Sequence, residues 1–504
     1  MSNNESELLT HHSYWIREVP VKQRFEKLTS VHQTDVAILG AGVTGLSTGI
    51  ELLERGYKVT ALEALVVGGG TTAASSGHVD AHPEGGPRKF IKSLGEDKAR
   101  EATKYRLDAI DLIQKRADDR CDFKRLKAYQ YSENTRDESA LMEEFAAAKK
   151  IGLHADWVKS IPLPYSTIGY AIENMGRFQS MAYLERLLQL FLEKGGKVYE
   201  HSVASGPVEE HPTELKVGDG KIEFEQVVCA VHCNYTNAMR IYFQTPAYQS
   251  YVLTARVKNP CSDALFWDNS DPYFYTRRAV SSDVKLIVVG GCDHRTGVGN
   301  ASEAKECLHK FVYDRYDVEE IVCSWSAELY EPTDGLPIIG KVPGKQNVWI
   351  ATGLSGVGLT WGTAAAKIIA EQMNGNSTAL QDELSPSRFG LGSPLTMAGE
   401  QLTSAANLTE RVLPAKKIDV DGLKAGEGQV GTVDGKFTAV CRDQDGELHF
   451  HNPRCVHMGG VVHWNSAEQT WDCPVHGGRF AACGSRIYSP PEGNLVRPDE
   501  KSQE

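Results

Sequence analysis

The sequence predicts an α/β domain with a parallel sheet, a second α+β domain inserted into it, and a small all-β domain at the C-terminal end. Residues 35–63 run as strand, glycine-rich turn, helix and strand, which is typical of a βαβ unit in a parallel sheet. From residue 416 on, short strand-like runs alternate with Gly-containing turns, as in a small antiparallel module. The 504 residues are too many for one hydrophobic core, so we expect several domains.

The first βαβ unit carries glycines in the spacing G-x-G-x-x-G. Gly40, Gly42 and Gly45 follow the apolar run Val36–Leu39, and Glu63 ends the second strand, which starts at Val59 and includes Leu62. Glycines at this turn let a pyrophosphate approach the backbone, and the helix N-terminus that follows attracts the anion. An acidic residue at the end of the second strand can accept a hydrogen bond from an adenosine ribose. The unit therefore predicts a dinucleotide site, and by itself it does not choose between NAD and FAD.

Two further segments suit a backbone that passes close to a ligand. Residues 66–78 form a run of small and hydroxylated side chains, although a flexible connection would look the same. Val348 to Thr352 is predicted as a strand, Gly353, Gly356 and Gly358 as a glycine loop, and Ala364 to Met373 as a helix. Because this loop lies so far along the chain from the first, we expect one nucleotide-binding domain built from discontinuous segments. Between them, Lys197 to Val203 and Glu225 to His232 are predicted as further strands.

Two short motifs in the C-terminal module alternate cysteine with histidine. The first is C-V-H at 455–457 and the second is C-P-V-H at 473–476. Zinc fingers usually keep their cysteines together and their histidines together. The interleaved order is typical of a Rieske [2Fe–2S] centre, in which two thiolates hold one iron and two imidazoles hold the other. We therefore predict cluster ligands at Cys455, His457, Cys473 and His476, and a mononuclear zinc site is the alternative.

The residues around these ligands predict a low-to-intermediate reduction potential. High-potential Rieske proteins carry an extra cysteine in each loop, and Gly460 and Val475 stand at those places here. Such proteins also hydrogen-bond the cluster through a serine and a tyrosine, and Gly478 and Phe480 stand at those places. Without these donors less negative charge is stabilised on reduction. We expect a potential that is not well above roughly 0 mV.

Further motifs are spread over nearly the whole chain. They are S-Y-W at 13–15, G-T-T at 70–72 with a histidine at 82, V-x-x-x-H at 228–232, G-G-x-D-H-x-T-G at 290–297, D-G-x-P-x-I-G at 334–340 and G-L-S-G-x-G at 353–358. With these motifs the chain resembles the D-amino-acid-oxidase-like FAD-dependent oxidoreductases that carry a C-terminal Rieske [2Fe–2S] domain. One departure is His78, which stands where that family usually has a lysine.

The resemblance implies both the fold and the cofactor contacts. The fold would be an α/β FAD-binding domain of the Rossmann-like, glutathione-reductase type with an inserted α+β substrate domain, followed by a small all-β Rieske domain. FAD rather than NAD would fill the opening unit, because a flavin can hold one or two electrons and can therefore serve a one-electron cluster. The implied FAD contacts are Gly40, Gly42, Gly45, Glu63, Thr71, Thr72, Val203, Ala230, Gly353, Gly356 and Gly358.

The domain boundaries follow from these assignments. We expect an N-terminal lead-in at 1–34, FAD-binding segments at 35–87, 181–232 and 331–380, substrate-domain segments at 88–180 and 233–330, a linker at 381–415 and the Rieske domain at 416–504.

Strand-like runs between residues 246 and 295 predict an antiparallel sheet that could form one wall of a substrate pocket. The candidate pocket residues are Tyr251, Tyr273, Tyr275, Arg277 and His294. Arg277 could clamp a substrate carboxylate through a bidentate pair. For the tyrosines the alternative is core packing, and for Arg277 it is a solvated side chain. His82 and His294 could each lie near the flavin or be buried structural histidines.

The composition argues against several classes of partner. The net charge of −12 argues against nucleic acid or an anionic membrane as the main partner, and no apolar run reaches the length of a membrane span. The N-terminal region lacks the basic-then-apolar pattern of a secretory signal. The 11 cysteines have scattered spacings without a disulfide framework, so we expect a reducing, cytoplasmic setting.

Together these features predict an FAD-dependent oxidoreductase that oxidises a small amine, amino acid or N-alkyl amino acid by hydride transfer to flavin. Electrons would then pass through the Rieske cluster to an external acceptor such as a ferredoxin or a quinone. One alternative is a flavin/Rieske electron-transfer module that supplies a separate oxygenase or redox partner, although the middle of the chain has no second NAD(P)-binding motif. Another is a sensing or structural cluster beside an independent flavin site.

Overall fold

The computed structural model describes residues 13–165, 167–206, 209–236, 239–388 and 416–499. Its helices are α1 (Tyr14–Glu18), α2 (Val43–Leu53), α3 (Thr71–Ala74), α4 (Pro87–Leu94), α5 (Glu96–Arg116), α6 (Glu138–Lys150), α7 (Ser180–Glu193), α8 (Met239–Gln244), α9 (Ala301–Arg315), α10 (Gly358–Met373) and α11 (Gln381–Leu384). Its strands are β1 (Val31–Gln33), β2 (Val36–Leu39), β3 (Val59–Leu62), β4 (His78–Val79), β5 (Lys124–Ser132), β6 (Ala155–Val158), β7 (Ile168–Arg177), β8 (Lys197–Tyr199), β9 (Glu214–Val217), β10 (Gly220–Glu223), β11 (Gln226–Cys229), β12 (Ala247–Val257), β13 (Leu265–Asp268), β14 (Phe274–Val280), β15 (Asp283–Arg295), β16 (Val318–Tyr330), β17 (Ile338–Lys341), β18 (Val348–Thr352), β19 (Gly428–Val433), β20 (Lys436–Arg442), β21 (Leu448–His451), β22 (His463–Asn465), β23 (Thr470–Asp472), β24 (Arg479–Ala481) and β25 (Arg486–Tyr488).

The first large sheet has six strands in the order β17-β18-β11-β2-β3-β8. All neighbours are parallel except the β17–β18 pair. Strands β2, β3 and β18 are buried along their whole length, as expected of parallel strands covered on both faces. Helices α2 and α10 pack against each other, although their sequences lie some 300 positions apart. The predicted α/β class is therefore confirmed.

The second large sheet joins two distant parts of the chain. Its order is β16-β12-β15-β14-β13-β5-β7-β4, and β6 adds to β7. The pairs are antiparallel except β13 with β5. Helix α9 packs against β12 and β15, so the sheet forms the inserted α+β part that the sequence predicts. A small sheet of β1, β10 and β9 lies apart from both large sheets.

The C-terminal part is all-β in the residues described. Strands β19-β20-β21 form one antiparallel sheet and β22-β23-β24-β25 form another. Trp471 and Phe480 are completely buried in a hydrophobic cluster that also contains Cys455 and Cys473. The predicted small all-β domain is therefore confirmed.

Two strands are shorter than the sequence predicts. The run from Lys197 was expected to extend to Val203, but β8 ends at Tyr199. The next residue, Glu200, turns its carboxylate towards the N–H groups of Phe25 and Val67, at 2.9 and 2.8 Å.

The run expected to reach His232 ends as a strand at Cys229. His232 has a φ of +74°, a left-handed conformation that a strand does not allow.

The glycine loop before α10 is shorter than predicted, because the helix begins at Gly358 instead of Ala364. The predicted linker at 381–415 lies outside the described residues from 389 on. Its first residues are packed, since Arg388 pairs with Asp334 at 2.7 Å. Residues 1–12 of the predicted lead-in also lie outside the described residues. None of the helices in the described ranges combines the length and apolarity that crossing a membrane requires.

Candidate functional site

A cavity of about 630 Å³ opens where the parallel strands of the first sheet end. Gly40, Glu63 and Ala230 directly follow β2, β3 and β11, and all three line it. The carboxyl ends of parallel strands are the usual ligand position in α/β folds. The cavity continues to the second sheet, where Trp267 and Tyr275 line it. One space therefore joins the predicted nucleotide site to the predicted substrate domain.

Two helices begin at this cavity without a cap from the side chain of their own N-cap residue, and in α2 the N–H of Val43 donates to the hydroxyl of Thr72 at 3.2 Å. Gly42 is the N-cap of α2 and Val357 is the N-cap of α10, and neither makes a side-chain cap hydrogen bond. Both residues line the cavity. Uncapped N–H groups and the positive end of a helix dipole favour anionic groups. The two helix starts therefore fit a ligand with a pyrophosphate and a further electronegative edge.

The glycine turn before α2 is crowded, and the acidic side chain of Glu63 lies beside this turn. A Cβ on Gly45 would overlap the carbonyl oxygen of Gly40, which itself has a φ of +99°. Glu63 accepts hydrogen bonds from the N–H groups of Ala41 and Leu65, each at 3.0 Å. Burial raises the pKa of Glu63. The carboxyl group is thus fixed at the cavity wall, where a ribose hydroxyl could meet it.

Most of the predicted cofactor contacts lie on the cavity wall. These are Gly40, Gly42, Glu63, Thr71, Thr72, Ala230, Gly356 and Gly358. Gly45, Val203 and Gly353 are not among the lining residues. Gly45 permits the close approach of α2 to the preceding turn, and Gly353, with a φ of +63°, packs against Pro332.

The far end of the cavity has an aromatic wall that includes Trp267, Tyr273 and Tyr275. The ring of His82 stacks on Trp267 with centroids 5.5 Å apart, and His78 meets Tyr275 edge-on at 5.2 Å. Burial lowers the pKa of His82 to about 3 and places that of His78 well below its usual range. Both imidazoles are therefore neutral at pH 7. Trp267 is not among the predicted pocket residues, because a single tryptophan in a strand is typical of core packing.

Arg277 does not line this cavity, in contrast to the predicted carboxylate clamp. It is fully buried, and its guanidinium donates to the backbone carbonyls of Ser76, Arg278, Ala279 and Phe178 at 2.7–3.2 Å. Because its N–H donors bind the chain's own backbone, Arg277 stabilises the fold.

Two further predicted pocket residues also lie away from the cavity wall. Tyr251 and His294 stack on each other with ring centroids 5.7 Å apart, and neither lines the cavity. Tyr273 and Tyr275 do line it. The structure therefore brings two of the five predicted pocket residues to the cavity.

Two loops of the C-terminal domain share one hydrogen-bond pattern. In each loop the cysteine N–H donates to the carbonyl of the glycine five positions later, at 2.8 Å. The carbonyl of the same cysteine accepts from the glycine four positions later, at 2.8 Å in the first loop and 3.0 Å in the second. The loops that start at Cys455 and Cys473 are thus equivalent turns, which explains the paired glycines in the sequence.

The four predicted metal ligands meet at these loops. The thiols of Cys455 and Cys473 are hydrogen-bonded to each other, and this contact lowers the pKa of Cys473. The rings of His457 and His476 lie 5.1 Å apart. Burial lowers the pKa of His457 to about 4 and that of His476 to about 3, so both imidazoles are neutral and able to bind a metal. Paired thiols beside paired neutral imidazoles are the donor set of a Rieske cluster.

The surroundings of the thiols lack the hydroxyl donors discussed for high-potential centres. A Cβ on Gly478 would lie 3.5 Å from the Cys455 sulfur, and Phe480 packs in the same cluster as both cysteines. A Cβ on Gly460 would lie 2.5 Å from Val475 Cγ2. Positions 460 and 475 are therefore adjacent, as expected of the two positions that carry the extra cysteines in high-potential Rieske proteins.

The two histidines predicted as ligands face the chain's own first domains. Tyr242 on α8 packs against both rings, with centroids 4.9 Å from His457 and 4.7 Å from His476. The hydroxyl of Tyr330 donates to the carbonyl oxygen of His476 at 3.0 Å. The ring of Tyr330 meets His232 edge-on at 4.9 Å, and His232 lines the cavity. A chain of contacts therefore runs from the predicted cluster site to the cavity wall.

Tyr242 and Tyr330 are not among the predicted site residues, and His232 stands out in the sequence only as part of a motif. No local signal could have found the contact, because Tyr330 and His476 are 146 positions apart. The C-terminal domain also contributes residues 486–489 to the cavity wall, which again depends only on how the domains pack.

A buried polar network joins the domains beside the same contacts. Arg479 donates to Asp472 at 2.9 Å and to Glu468 at 2.5 Å, and Glu468 also accepts from Gln249 on β12. Glu328 on β16 is completely buried, and burial holds the pKa of its carboxyl well above its usual range. Burial therefore favours the uncharged form of this carboxyl group, which reduces the cost of a buried charge between the domains.

Comparison with known proteins identifies both parts of the chain. Residues 35–372 match the family model of FAD dependent oxidoreductases named DAO, and residues 415–498 match the model of the Rieske [2Fe-2S] domain. The chain belongs to the DAO family of FAD-dependent oxidoreductases. Its cofactors are FAD and a [2Fe–2S] cluster. The uncapped helix starts fit the first cofactor, and the paired thiols and neutral imidazoles fit the second.

Individual relatives agree with this assignment to the DAO family. The putative Rieske 2Fe-2S iron-sulfur protein YhfW of Bacillus subtilis is 29% identical over 495 residues, which cover 96% of each chain. The probable oxidoreductase OrdL of Haemophilus influenzae is 24% identical over 71% of this chain and 86% of its own. Glycine oxidase of Geobacillus kaustophilus shares the fold over 71% of this chain and 99% of its own, with a TM-score of 0.59 and 19% identity.

Proposed function

We propose that this oxidoreductase oxidises a small amine or amino-acid-like substrate at the carbon next to nitrogen and passes the electrons through its own Rieske cluster to an external acceptor. Bound FAD supplies a two-electron hydride acceptor, and the cluster supplies a one-electron carrier. The observation that carries the proposal is the hydrogen bond from Tyr330 to His476, because Tyr330 also contacts the cavity-lining His232.

The coverage of the histidine ligands supports transfer within the chain. His476 is 5% exposed, and Tyr242 lies against its ring and that of His457. Residues 486–489 of the Rieske domain also line the cavity. The imidazoles are therefore covered by this chain's own residues, close to the part of the Rieske domain that lines the cavity. We propose Cys455, Cys473, His457 and His476 as the cluster ligands.

Different residues of the cavity would bind the different parts of the cofactor and the substrate. Glu63 and the start of α2 would hold the adenosine and pyrophosphate groups, and the start of α10 would stabilise negative charge at the other end. The aromatic wall of Trp267, Tyr273 and Tyr275 would hold the substrate and keep water away from it. A neutral amine needs no dedicated side-chain base for hydride loss, which fits the neutral histidines of this wall.

The external acceptor would be a ferredoxin, a quinone or another one-electron carrier, in a cytoplasmic setting. None of the 11 cysteines, all of which lie in the described residues, forms a disulfide, which supports a reducing compartment.

Anaerobic mixing tests the proposal. The purified holoenzyme is mixed with amines, amino acids or NAD(P)H, while flavin absorbance and the EPR signal of the reduced cluster are followed. We expect an amine or amino acid to bleach the flavin and then to produce the EPR signal. Cys455→Ser should keep the bleaching and lose both the EPR signal and reduction of a one-electron acceptor, whereas Cys483→Ser, at an exposed cysteine, should keep all three.

Two results would contradict the proposal. Bleaching by NADPH and by no amine would favour an electron-transfer module that supplies a separate oxygenase. Unchanged turnover with every acceptor in Cys455→Ser would separate the cluster from the flavin reaction.

A further inference from the structure

We propose that the far end of the cavity selects a substrate that carries no carboxylate and has a positive charge apart from the neutral amine that is oxidised, that is, a cationic alkylamine instead of an amino acid. The inference rests on the proposed function and narrows its substrate class. It is carried by three features of the cavity wall: an aromatic surface, carboxylates around Tyr273, and the internal use of the nearby arginines.

The aromatic surface presents several ring faces and edges to one space. Trp267, Tyr170, Tyr273 and Tyr275 all line the cavity, and the rings of Tyr273 and Tyr275 lie 6.3 Å apart. The electron-rich faces of such rings attract organic cations, and tryptophan attracts them most. The two histidines in this wall, His78 and His82, are neutral, so they do not oppose a cation.

Carboxylates surround the hydroxyl of Tyr273. It donates to Asp293 at 3.0 Å. Burial first, and then the nearby Asp293, Glu84 and Glu331, hold the pKa of Tyr273 well above its usual range. Glu84 and Glu331 line the cavity, and Glu84 accepts from the N–H of Gly356, just before α10. This end of the cavity is therefore an acidic environment that favours a cation over an anion.

The arginines near this end are used by the protein itself. Arg277 donates to four backbone carbonyls. Arg106 is buried, pairs with Asp80 at 3.1 Å and donates to the carbonyl of His82 at 2.8 Å.

Among the described residues that line the cavity, eight are Asp or Glu and only Lys89 and Arg486 are Lys or Arg. Arg486 lies in the Rieske domain, where it donates to Pro491, and Lys89 is exposed beside Gly85. A substrate carboxylate would thus meet acidic groups without a bidentate partner.

Ligand binding without turnover tests the inference. The holoenzyme is titrated with tetramethylammonium, with its uncharged analogue tert-butanol and with the anion pivalate, and binding is read from the flavin difference spectrum and from calorimetry. These probes are similar in size and cannot donate hydride from a carbon beside a nitrogen lone pair. We expect tetramethylammonium to bind at least about tenfold more tightly than either analogue.

Variants identify the groups that make this selection. Trp267→Leu should weaken tetramethylammonium binding about tenfold, and Trp267→Phe should restore most of it because a ring face remains. Glu84→Gln should also weaken it, whereas Glu143→Gln should not, since Glu143 is 56% exposed and does not line the cavity. Tyr313→Leu, at an exposed tyrosine on α9, is the aromatic control. FAD content and melting temperature are measured for each variant. If Trp267→Leu loses FAD, tetramethylammonium binding by Trp267→Phe and Glu84→Gln tests the inference instead.

Pivalate binding as tightly as tetramethylammonium would overturn the inference, as would unchanged binding in Glu84→Gln and in a folded Trp267→Leu. These failures are distinct from failure of the proposed function. If an amino acid bleaches the flavin and pivalate binds best, the function stands and the cation selection fails. If tetramethylammonium binds as expected but no amine bleaches the flavin, the selection stands and the function fails.

Discussion

The hydroxyl of Tyr330 donates a hydrogen bond to the carbonyl oxygen of His476 at 3.0 Å. Tyr330 ends β16 in the second large sheet, and His476 lies in the second ligand loop of the Rieske domain. The same hydroxyl lies 3.3 Å from the carbonyl of Ser489, which lines the cavity. One side chain thus fixes the Rieske loop against the cavity wall.

Tyr330→Phe removes this bond and keeps the ring. We expect the flavin to be reduced at the normal rate and the cluster to be reduced about two- to tenfold more slowly, as a lost hydrogen bond of about 0.5–1.5 kcal/mol would give. Anaerobic stopped-flow absorbance and freeze-quench EPR measure the two steps. Tyr131→Phe, which removes a buried hydroxyl bond to Tyr165, is the control. Equal slowing in both variants would indicate a general loss of stability instead of a local role.

Phe480→Tyr introduces a hydroxyl near the cysteine sulfurs. A hydrogen bond worth about 1 kcal/mol more in the reduced cluster would raise the potential by about 40 mV for a one-electron couple. An EPR-monitored redox titration measures the change. Phe450→Tyr, on β21 and partly exposed, should leave the potential unchanged. A lower potential in Phe480→Tyr would show that the new hydroxyl does not reach the cluster sulfurs.

Arg277→Met leaves four buried carbonyl oxygens without their donor. We expect the free energy of unfolding to fall by about 3 kcal/mol or more, since unsatisfied buried groups cost about 1–3 kcal/mol each. Thermal unfolding of the holoenzyme measures this as a lower melting temperature. Arg100→Met, at a half-exposed surface arginine, should change little. An unchanged melting temperature together with a higher KM for a carboxylate substrate would restore the clamp role.

Glu63→Ala removes the carboxylate held by Ala41 and Leu65. We expect FAD to bind about ten- to a hundredfold more weakly, because hydrogen bonds to a charged group contribute about 1.5–3 kcal/mol. Fluorescence of FAD released on dilution gives the dissociation constant. Glu54→Ala, in a surface pair with Lys194, serves as control. Equal FAD affinity in the two variants would remove Glu63 from the proposed ribose contact.

The charge of Glu84 should make cation binding depend on pH. Burial raises its pKa to about 7; the N–H of Gly356 and the charge of Arg106 lower it, and the charge of Asp293 raises it. Below this pKa the carboxyl group is neutral, and above it the group is negative, so the affinity for tetramethylammonium should increase from about pH 6 to about pH 8. Calorimetry across this range measures the effect. In Glu84→Gln the affinity should be nearly independent of pH, and a persistent rise there would assign the titration to another group.

Much of the fold could be predicted because its signals are local. The strands Val36–Leu39, Val59–Leu62 and Val348–Thr352 have the predicted bounds. A short apolar run between turns is too short for a helix, so few structures other than a buried strand are open to it. The alternating cysteine and histidine order likewise describes two equivalent turns. Lys197–Val203 was predicted too long because the carboxylate of Glu200 finds backbone donors far along the chain.

The substrate end was harder to predict, and β14 shows the reason. Tyr273, Tyr275 and Arg277 alternate in sequence, so strand geometry directs them to one face. Arg277 nevertheless lies beyond the end of the cavity, under the carbonyl of Ser76 and over the ring of Trp15. Alternation predicts the face of a side chain, but it does not predict how far along the strand the cavity extends.

The sequence by itself determined the two cofactor motifs, because a glycine turn and a ligand loop are each built from residues within about 30 positions of one another. The tertiary structure alone decided that the two sites meet. Tyr330, His232 and His476 come together through the packing of a sheet, a strand end and a separate domain. Contacts over such separations depend on how whole surfaces pack, and no local spacing records that packing.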